Sequence, residues 1–159
     1  MSSSGRVVVG MASAAGVSYG VRALEALRDA SAEIHLVMTG ASQEALGADL
    51  ERVRSLSDHV YAEENQAAPI SSGSFLTRGM VVAPCDGAGL AAITFGLATN
   101  LVFRAADVTL KERRPLVLGL VAATAIEDAH LARAAEVPGL CVVRLEGTEG
   151  AAAALLERL

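Results

Sequence analysis

Short runs of β-branched and other apolar residues alternate along this chain with longer stretches rich in alanine and leucine. Strand-length apolar runs separated by helix-length segments are typical of a parallel sheet covered by helices on both faces. The sequence therefore predicts an α/β fold. The predicted strands cover residues 6–10, 34–38, 59–61, 80–83, 116–121 and 140–144. The predicted helices cover residues 19–30, 42–46 with 50–56, 88–99, 125–135 and 148–159.

The length of 159 residues fits one domain, residues 1–159, with residues 1–5 as a flexible lead. Hydrophobic residues make up 52% of the chain and aromatic residues only 3%. The mean hydropathy of +0.43 is high for a soluble protein. Because no apolar stretch reaches the roughly 20 residues of a membrane-spanning helix, we interpret the apolar surplus as subunit interface and expect a homo-oligomer.

The net charge, the N-terminal residues and the histidines indicate which kinds of binding partner are not expected. The net charge of -5 and the scarcity of aromatic residues argue against a nucleic-acid partner. The polar start lacks the apolar core of a signal peptide, which predicts a cytoplasmic protein with no membrane contact. His35, His59 and His130 are scattered along the chain without metal-ligand spacing, so no metal site is predicted.

The two cysteines, Cys85 and Cys141, are not expected to form a disulfide in a reducing compartment. We interpret both as small buried hydrophobic residues. Cys85 follows Pro84 at the end of a predicted strand, where a functional loop can begin.

Loops that follow the predicted strands carry small and hydroxyl-bearing residues. In a parallel sheet such loops meet beyond the carboxyl ends of the strands, where helix N-termini present free N–H groups to anions. We expect four of them to converge at that edge. They are the Gly10–Gly16 loop with Ser13, the Thr39-Gly40 pair, the segment with Ser71, Ser72, Gly73 and Ser74, and the Cys85–Gly89 loop with Asp86.

A structural interpretation of each loop stays open. Glycine-rich turns between strands and helices occur in many α/β proteins without ligands, and Ser72 and Asp86 are plausible helix caps. The first loop lacks the spacing of the dinucleotide fingerprint and the lysine of a P-loop. A mononucleotide therefore suits these loops better than NAD or ATP.

A basic run stands directly before a predicted strand. Arg104, Lys111, Arg113 and Arg114 precede the apolar Leu116 in the segment RAADVTLKERRPLVL. So much positive charge in an acidic chain suggests an anion site. The alternative is a solvated helix end followed by a buried strand.

Five segments together resemble the bacterial flavin prenyltransferase (UbiX) family, within the homo-oligomeric flavin-containing cysteine decarboxylase superfamily. They are residues 10–22, HLVMT, ISSGSF, MVVAPC and RAADVTLKERRPLVL. The resemblance implies a flavodoxin-like (Rossmann-like) sheet, an FMN site between subunits, and a trimer-based or dodecameric homo-oligomer. Active members of that family attach a dimethylallyl group to reduced FMN without a metal, for use by a partner decarboxylase.

The resemblance also implies roles for single residues. Arg104 and Lys111 match residues that hold the prenyl phosphate, and Thr39 stands where the family has a serine that touches FMN. The predicted cofactor-binding residues are Gly10, Ser13, Ala15, Gly16, Thr39, Ser72, Ser74, Cys85 and Arg104. The predicted catalytic residues are Asp86, Lys111 and Arg104.

The chain departs from the family pattern at several of these places. Ala15 replaces a family serine, Asp86-Gly-Ala-Gly89 replaces a serine-X-lysine-threonine motif, and Val121-Ala-Ala-Thr124 replaces arginine-glutamate-threonine-proline. The family's glutamate after the second helix has no clear counterpart, since Glu44 is out of register. The sequence ends at Leu159, which predicts a C-terminally short member without the family's later tyrosine and basic phosphate ligands.

These residues are compatible with three alternative functions. The first is an FMN-binding enzyme whose chemistry has diverged from prenyl transfer, with Asp86 as acid or base and an anionic substrate held by Arg104 and Lys111. The second is an active flavin prenyltransferase. The third is a non-catalytic or cofactor-free oligomeric subunit. The residues favour the first, because the groups that matched prenyl transfer are partly replaced.

Overall fold

Six strands build the sheet in the computed structural model, which describes residues 5–121, 128–147 and 150–159. They are β1 (Arg6–Met11), β2 (Glu33–Met38), β3 (His59–Ala62), β4 (Gly79–Cys85), β5 (Leu116–Val121) and β6 (Leu140–Leu145). All neighbours pair in parallel, in the order β3-β2-β1-β4-β5-β6. All six predicted strands are confirmed, and so is the flavodoxin-like (Rossmann-like) class of parallel sheet. The strand order is that of doubly wound Rossmann sheets.

Seven α-helices connect the strands within the described residues. They are α1 (Val17–Asp29), α2 (Gly40–Leu46), α3 (Leu50–Ser55), α4 (Gly87–Phe95), α5 (Leu101–Lys111), α6 (Asp128–Ala135) and α7 (Ala151–Leu156). The first residues of the predicted helices 125–135 and 148–159 lie outside the described ranges. In the described part, no helix is both long and apolar enough to cross a membrane.

The predicted helix over residues 88–99 is wrong in its last four residues, and α5 is not among the predicted helices. Helix α4 ends at Gly96, whose φ of 70° lies in the left-handed region that glycine adopts readily. Helix α5 then begins after Asn100, whose side-chain oxygen accepts the N–H of Phe103 over 3.0 Å. Leu101, Ala105 and Val108 recur at helical spacing on its buried face, beside the basic residues that dominate the sequence pattern of this segment.

The core lies on both faces of the sheet, as predicted. On β1, Val8 packs in the cluster that contains residues of α4, α5 and α6. Val7 and Val9 point to the opposite face and pack in the cluster that contains Leu24 and Leu27 of α1. Every residue of β4 and β5 is buried, as expected for central strands covered on two sides. Strand β3 at the edge is mostly exposed.

Candidate ligand site at the carboxyl edge of the sheet

The connections of the sheet change direction between β1 and β4, which are neighbours although they are distant in sequence. Ligands of doubly wound sheets bind in the crevice outside the carboxyl ends of the strands at such a switch point. Here the two loops touch, because the N–H of Ala12 donates to the carbonyl of Pro84 over 3.0 Å. We define the switch-point cleft as residues 12–16 together with Thr39 and Asp86.

Gly16 closes the first loop and stands directly before α1. Its φ is 81°, in the left-handed region. A Cβ at this position would lie 2.5 Å from Cγ1 of Val121 and 3.4 Å from Cβ of Pro84. Both the backbone conformation and the space therefore require glycine, and the loop can lie close against the end of β5.

Two other predicted positions of this loop, Gly10 and Ala15, lie in different environments. Gly10 lies inside β1, and a Cβ there would be 2.9 Å from Cγ1 of Val102 on α5. Its lack of a side chain is explained by helix packing. Ala15 is exposed at the mouth of the loop. A ligand contact by Gly10 or Ala15 stays a prediction.

Ser42 fixes the first loop from the side of α2. This fully buried hydroxyl donates to the carbonyl of Met11 at 2.9 Å and lies 3.2 Å from the carbonyl of Ser13. Thr39 caps α2 by accepting the N–H of Ser42 over 3.2 Å, and the two hydroxyl oxygens are 2.9 Å apart. Ser42 is not among the predicted site residues, because its contacts to the carbonyls of Met11 and Ser13 join segments about thirty residues apart and no local pattern shows them. Ser13 itself is buried.

Asp86 caps α4, because its Oδ1 accepts the N–H of Gly89 over 2.8 Å. The capping interpretation is confirmed, and the carboxylate offsets the positive end of the helix dipole. Cys85 beside it is fully buried. Burial, reinforced by the charge of Asp86, raises the pKa of the Cys85 thiol to about 12. The interpretation of Cys85 as a small buried hydrophobe is confirmed, and only its backbone could meet a ligand.

The start of α1 differs from the starts of α2, α4 and α5. The latter three carry the capping side chains Thr39, Asp86 and Asn100. Gly16 offers α1 no side-chain cap, and the first turn of α1 contains no acidic residue. Backbone N–H groups in that turn are therefore available to an anion.

Two of the predicted catalytic residues lie along the outer face of α5. Asp107 stands between them, with its Oδ2 at 2.9 Å from Nζ of Lys111 and 3.9 Å from Nη1 of Arg104. The side chains of Arg104 and Lys111 are 41% and 66% exposed. We refer to Arg104, Asp107 and Lys111 as the α5 stripe. The structure brings the two cations together, but their described ion pairs do not join them to the switch-point cleft.

The turn with Ser72 and Ser74 does not reach the carboxyl edge, so the expectation that four loops converge there is wrong within one chain. Arg114, which precedes β5, donates to the carbonyls of Gly73 at 2.8 Å and Phe75 at 3.0 Å. These serines follow β3 by ten residues or more, when the chain has already returned toward the amino end of β4. Their hydroxyls lie 2.9 Å apart, and Ser72 caps no helix start.

Two histidines that are distant in sequence are adjacent in the structure. The rings of His35 and His59 stack with centroids 4.5 Å apart. Nε2 of His35 lies 2.9 Å from Oε1 of Glu33, and its Nδ1 lies 2.9 Å from the hydroxyl of Tyr61. Burial lowers the pKa of His35, while the hydrogen bond to Glu33 opposes that shift. This group lies toward the amino edge, opposite the switch-point cleft.

The replacements predicted after β5 fall partly outside the described residues. Val121 is the last residue of β5. Ala122, Ala123 and Thr124 lie in the segment that the structure does not describe. Their predicted effect on a flavin site stays a prediction.

Residues 1–136, which include the whole switch-point cleft and the α5 stripe, match the family model described as Flavoprotein. The chain belongs to this flavoprotein family. A relative from Bacillus subtilis (strain 168), named "Probable UbiX-like flavin prenyltransferase", is 46% identical over 130 residues. The match covers 79% of this chain and 63% of the relative, so the chain spans less than two thirds of that protein's length.

Two solved structures of flavoproteins resemble the fold. The dodecameric FMN-dependent Ubix-like decarboxylase from Escherichia coli O157:H7 superposes with a TM-score of 0.86 at 36% identity, over 96% of this chain and 93% of the other. AnUbiX (PadA1), solved in complex with FMN and dimethylallyl pyrophosphate, gives 0.79 at 40% identity, over 86% and 76%. The resemblance drawn from the sequence motifs is confirmed.

Proposed function

We propose that this flavoprotein binds FMN and is a flavin prenyltransferase of the UbiX kind, which works as a homo-oligomer. The observation that carries the proposal is the 46% identity over 130 residues to a relative named for this activity. Identity at this level favours prenyl transfer over the diverged chemistry that the single-residue replacements had suggested.

The switch-point cleft fits the phosphate of FMN at one place. The uncapped first turn of α1 offers N–H groups, and Gly16 lets the backbone approach closely. Asp86 makes the start of α4 unsuitable for a phosphate, since its carboxylate repels a second anion at short range. Ser42 holds the loop carbonyls in place, so the loop needs little ordering when the phosphate binds.

The α5 stripe suits the phosphate of a prenyl donor. A guanidinium and an ammonium group together bind a phosphate through charge-assisted hydrogen bonds. Asp107 holds both cations on one face of α5, and both face outward. We place them against a site formed with a neighbouring copy, to which Ser72 and Ser74 of the exposed turn also contribute.

The residues of this chain would assist the reaction in two ways. Bound reduced FMN supplies the nucleophile that receives the dimethylallyl group. Arg104 and Lys111 stabilise the negative charge that grows on the phosphate as the carbon–oxygen bond breaks. Asp86 is the candidate proton acceptor through Oδ2, because its Oδ1 is held by the N–H of Gly89.

An apolar groove between α4 and α6 supports assembly into an oligomer. Its volume is about 750 Å³, and its walls include Leu90, Ala91 and Ala132. Phe95 on its rim is 65% exposed, and Leu97 nearby is 56% exposed. Exposed apolar surface of this kind marks contact with another protein, and we assign the groove to a second copy. Light scattering should show that Phe95→Glu lowers the subunit number, whereas the matched change Ala30→Glu, at the exposed residue that follows α1, leaves it unchanged.

The activity is tested by anaerobic incubation of the purified protein with reduced FMN and dimethylallyl phosphate, followed by mass spectrometry. We expect a product heavier than FMN by one prenyl group. Arg104→Ala and Lys111→Ala should each lower the rate by about tenfold or more, while Arg113→Ala should not. A protein that binds FMN but forms no product under conditions in which an active flavin prenyltransferase does would favour the diverged reaction. Failure to bind FMN at all would favour the cofactor-free subunit.

A further inference from the structure

Three metal-ligating side chains meet toward the amino edge of the sheet. Oε1 of Glu33 lies 2.9 Å from Nε2 of His35 and 3.7 Å from Nε2 of His59. One ligand atom from each of the three residues lies within 4.8 Å of the other two. Atoms bound to one tetrahedral ion at about 2.0–2.2 Å are roughly 3.3–3.6 Å apart, so the three ligand atoms would have to shift by up to about 1 Å to hold one ion.

The strand register creates this cluster. Glu33 and His35 are two residues apart on β2, so their side chains point to the same face. His35 pairs with His59, the first residue of β3, in the parallel ladder between the two strands. The sequence spacing of 35 and 59 could not show this neighbourhood, because it depends on which strand β3 joins.

We propose that Glu33, His35 and His59 bind a zinc ion, with a fourth position open to solvent. Two imidazoles and one carboxylate form a ligand set that Zn²⁺ accepts, and imidazole donors disfavour Mg²⁺ and Ca²⁺. The side chain of His35 is 3% exposed, whereas Glu33 and His59 are 42% and 52% exposed. The buried ligand anchors the ion, and the two exposed ligands leave it accessible.

Tyr61 supplies the outer hydrogen bond that such a site needs. The Glu33 carboxylate only accepts, so Nε2–H of neutral His35 donates to it and Nδ1 accepts from the hydroxyl of Tyr61. Zinc at Nε2 displaces that proton and moves the ring N–H to Nδ1. The same hydroxyl oxygen then accepts from Nδ1, which fixes the tautomer that binds the ion.

Two features of this cluster oppose zinc binding. Nε of Arg6 lies 3.4 Å from the same Glu33 oxygen, so Arg6 competes for the carboxylate. The rings of His35 and His59 are nearly parallel, at 15°, and two parallel rings cannot both point their lone pairs at one ion. His59 must therefore turn when zinc binds. Its exposure permits that rotation.

The test is calorimetric titration of the full chain, free of any polyhistidine tag, with zinc chloride. Absorption spectroscopy with cobalt chloride as a second probe would report tetrahedral coordination. The variants are His59→Gln, Tyr61→Phe and Arg6→Gln, with His130→Gln as the matched histidine control outside the cluster. Circular dichroism verifies that each variant is folded.

We expect one zinc per chain and a tetrahedral cobalt spectrum. His59→Gln should weaken zinc by more than the roughly 10–100-fold expected for Tyr61→Phe, which removes only an outer hydrogen bond. Arg6→Gln should tighten it, and His130→Gln should leave it unchanged. Absence of zinc binding, or equal affinity in wild type and His59→Gln, would overturn the proposal. Neither result depends on flavin binding, so the zinc site and the proposed prenyl transfer are tested independently.

Discussion

The two edges of the sheet differ in how they use side chains. At the carboxyl edge the switch-point cleft is built from backbone, small residues and short hydroxyls, with Gly16 and Ser42 fixing its shape. At the amino edge the chain places large rings and charges, where the guanidinium of Arg6 lies 4.6 Å from the ring centroid of Phe75. The first edge leaves room for a ligand that binds the backbone. At the second edge the contacts are made by side chains.

The largest effect should come from Gly16→Ala. The left-handed backbone costs a non-glycine residue about 1–2 kcal/mol, and the contact with Val121 adds overpacking, for a total of about 3 kcal/mol or more. Gly150→Ala is the matched control, since Gly150 precedes α7 with a φ of 79° in the same left-handed region but nothing lies within 4 Å of a new Cβ. It should cost only about 1 kcal/mol. Urea unfolding measures both. Equal losses would mean that the first loop is not tightly packed.

Arg114→Gln should lower the free energy of unfolding by about 2 kcal/mol, because two charged hydrogen bonds to backbone carbonyls disappear. The neighbouring change Arg113→Gln should stay within about 0.5 kcal/mol, since that side chain is exposed. Chemical denaturation of the two variants compares them directly. If they lose the same amount, the turn at Ser72 is not held by Arg114.

The buried thiol of Cys85, at the carboxyl edge, predicts that the free energy of unfolding depends on pH. Its pKa rises from an ordinary 9.0 to about 12 in the fold, so the folded state keeps a proton that the unfolded state releases. Stability should therefore be unaffected by this group below pH 9 and fall by about 1.4 kcal/mol per pH unit between the two values. Cys85→Ala should lack this component, and the difference between the two unfolding curves isolates it. A constant difference from pH 8 to about pH 11 would contradict a buried neutral thiol.

Asp107→Asn should have the smallest effect on stability, below about 0.5 kcal/mol, because its ion-pair partners Arg104 and Lys111 are 41% and 66% exposed. Removing a negative charge beside the two cations should lower the KM for the proposed donor, dimethylallyl phosphate, by about two- to threefold. Asp29→Asn on exposed α1 surface should change neither quantity. A raised KM would show instead that Asp107 is needed to hold the cations in position.

Sequence reasoning located what depends on local pattern. The six strands, the helices on both faces and the cap at Asp86 follow from apolar periodicity and from residue types at strand ends. The predictions were wrong where the position of a residue depends on a long connection between strands or on which strands pair. The route from β3 to β4 carries Ser72 and Ser74 away from the cleft, and the edge position of β3 brings His59 to His35. Such outcomes depend on tertiary pairing, which no local motif in this chain encodes.

The brevity of β3 has a consequence for how copies associate. This outermost strand has four residues, and three of them are exposed. A strand from another molecule could form only a few main-chain hydrogen bonds with β3. Short edge strands of this kind disfavour the extension of a sheet from one molecule to the next. Sheet pairing through β3 is therefore disfavoured, which suits the proposed assembly through the groove between α4 and α6.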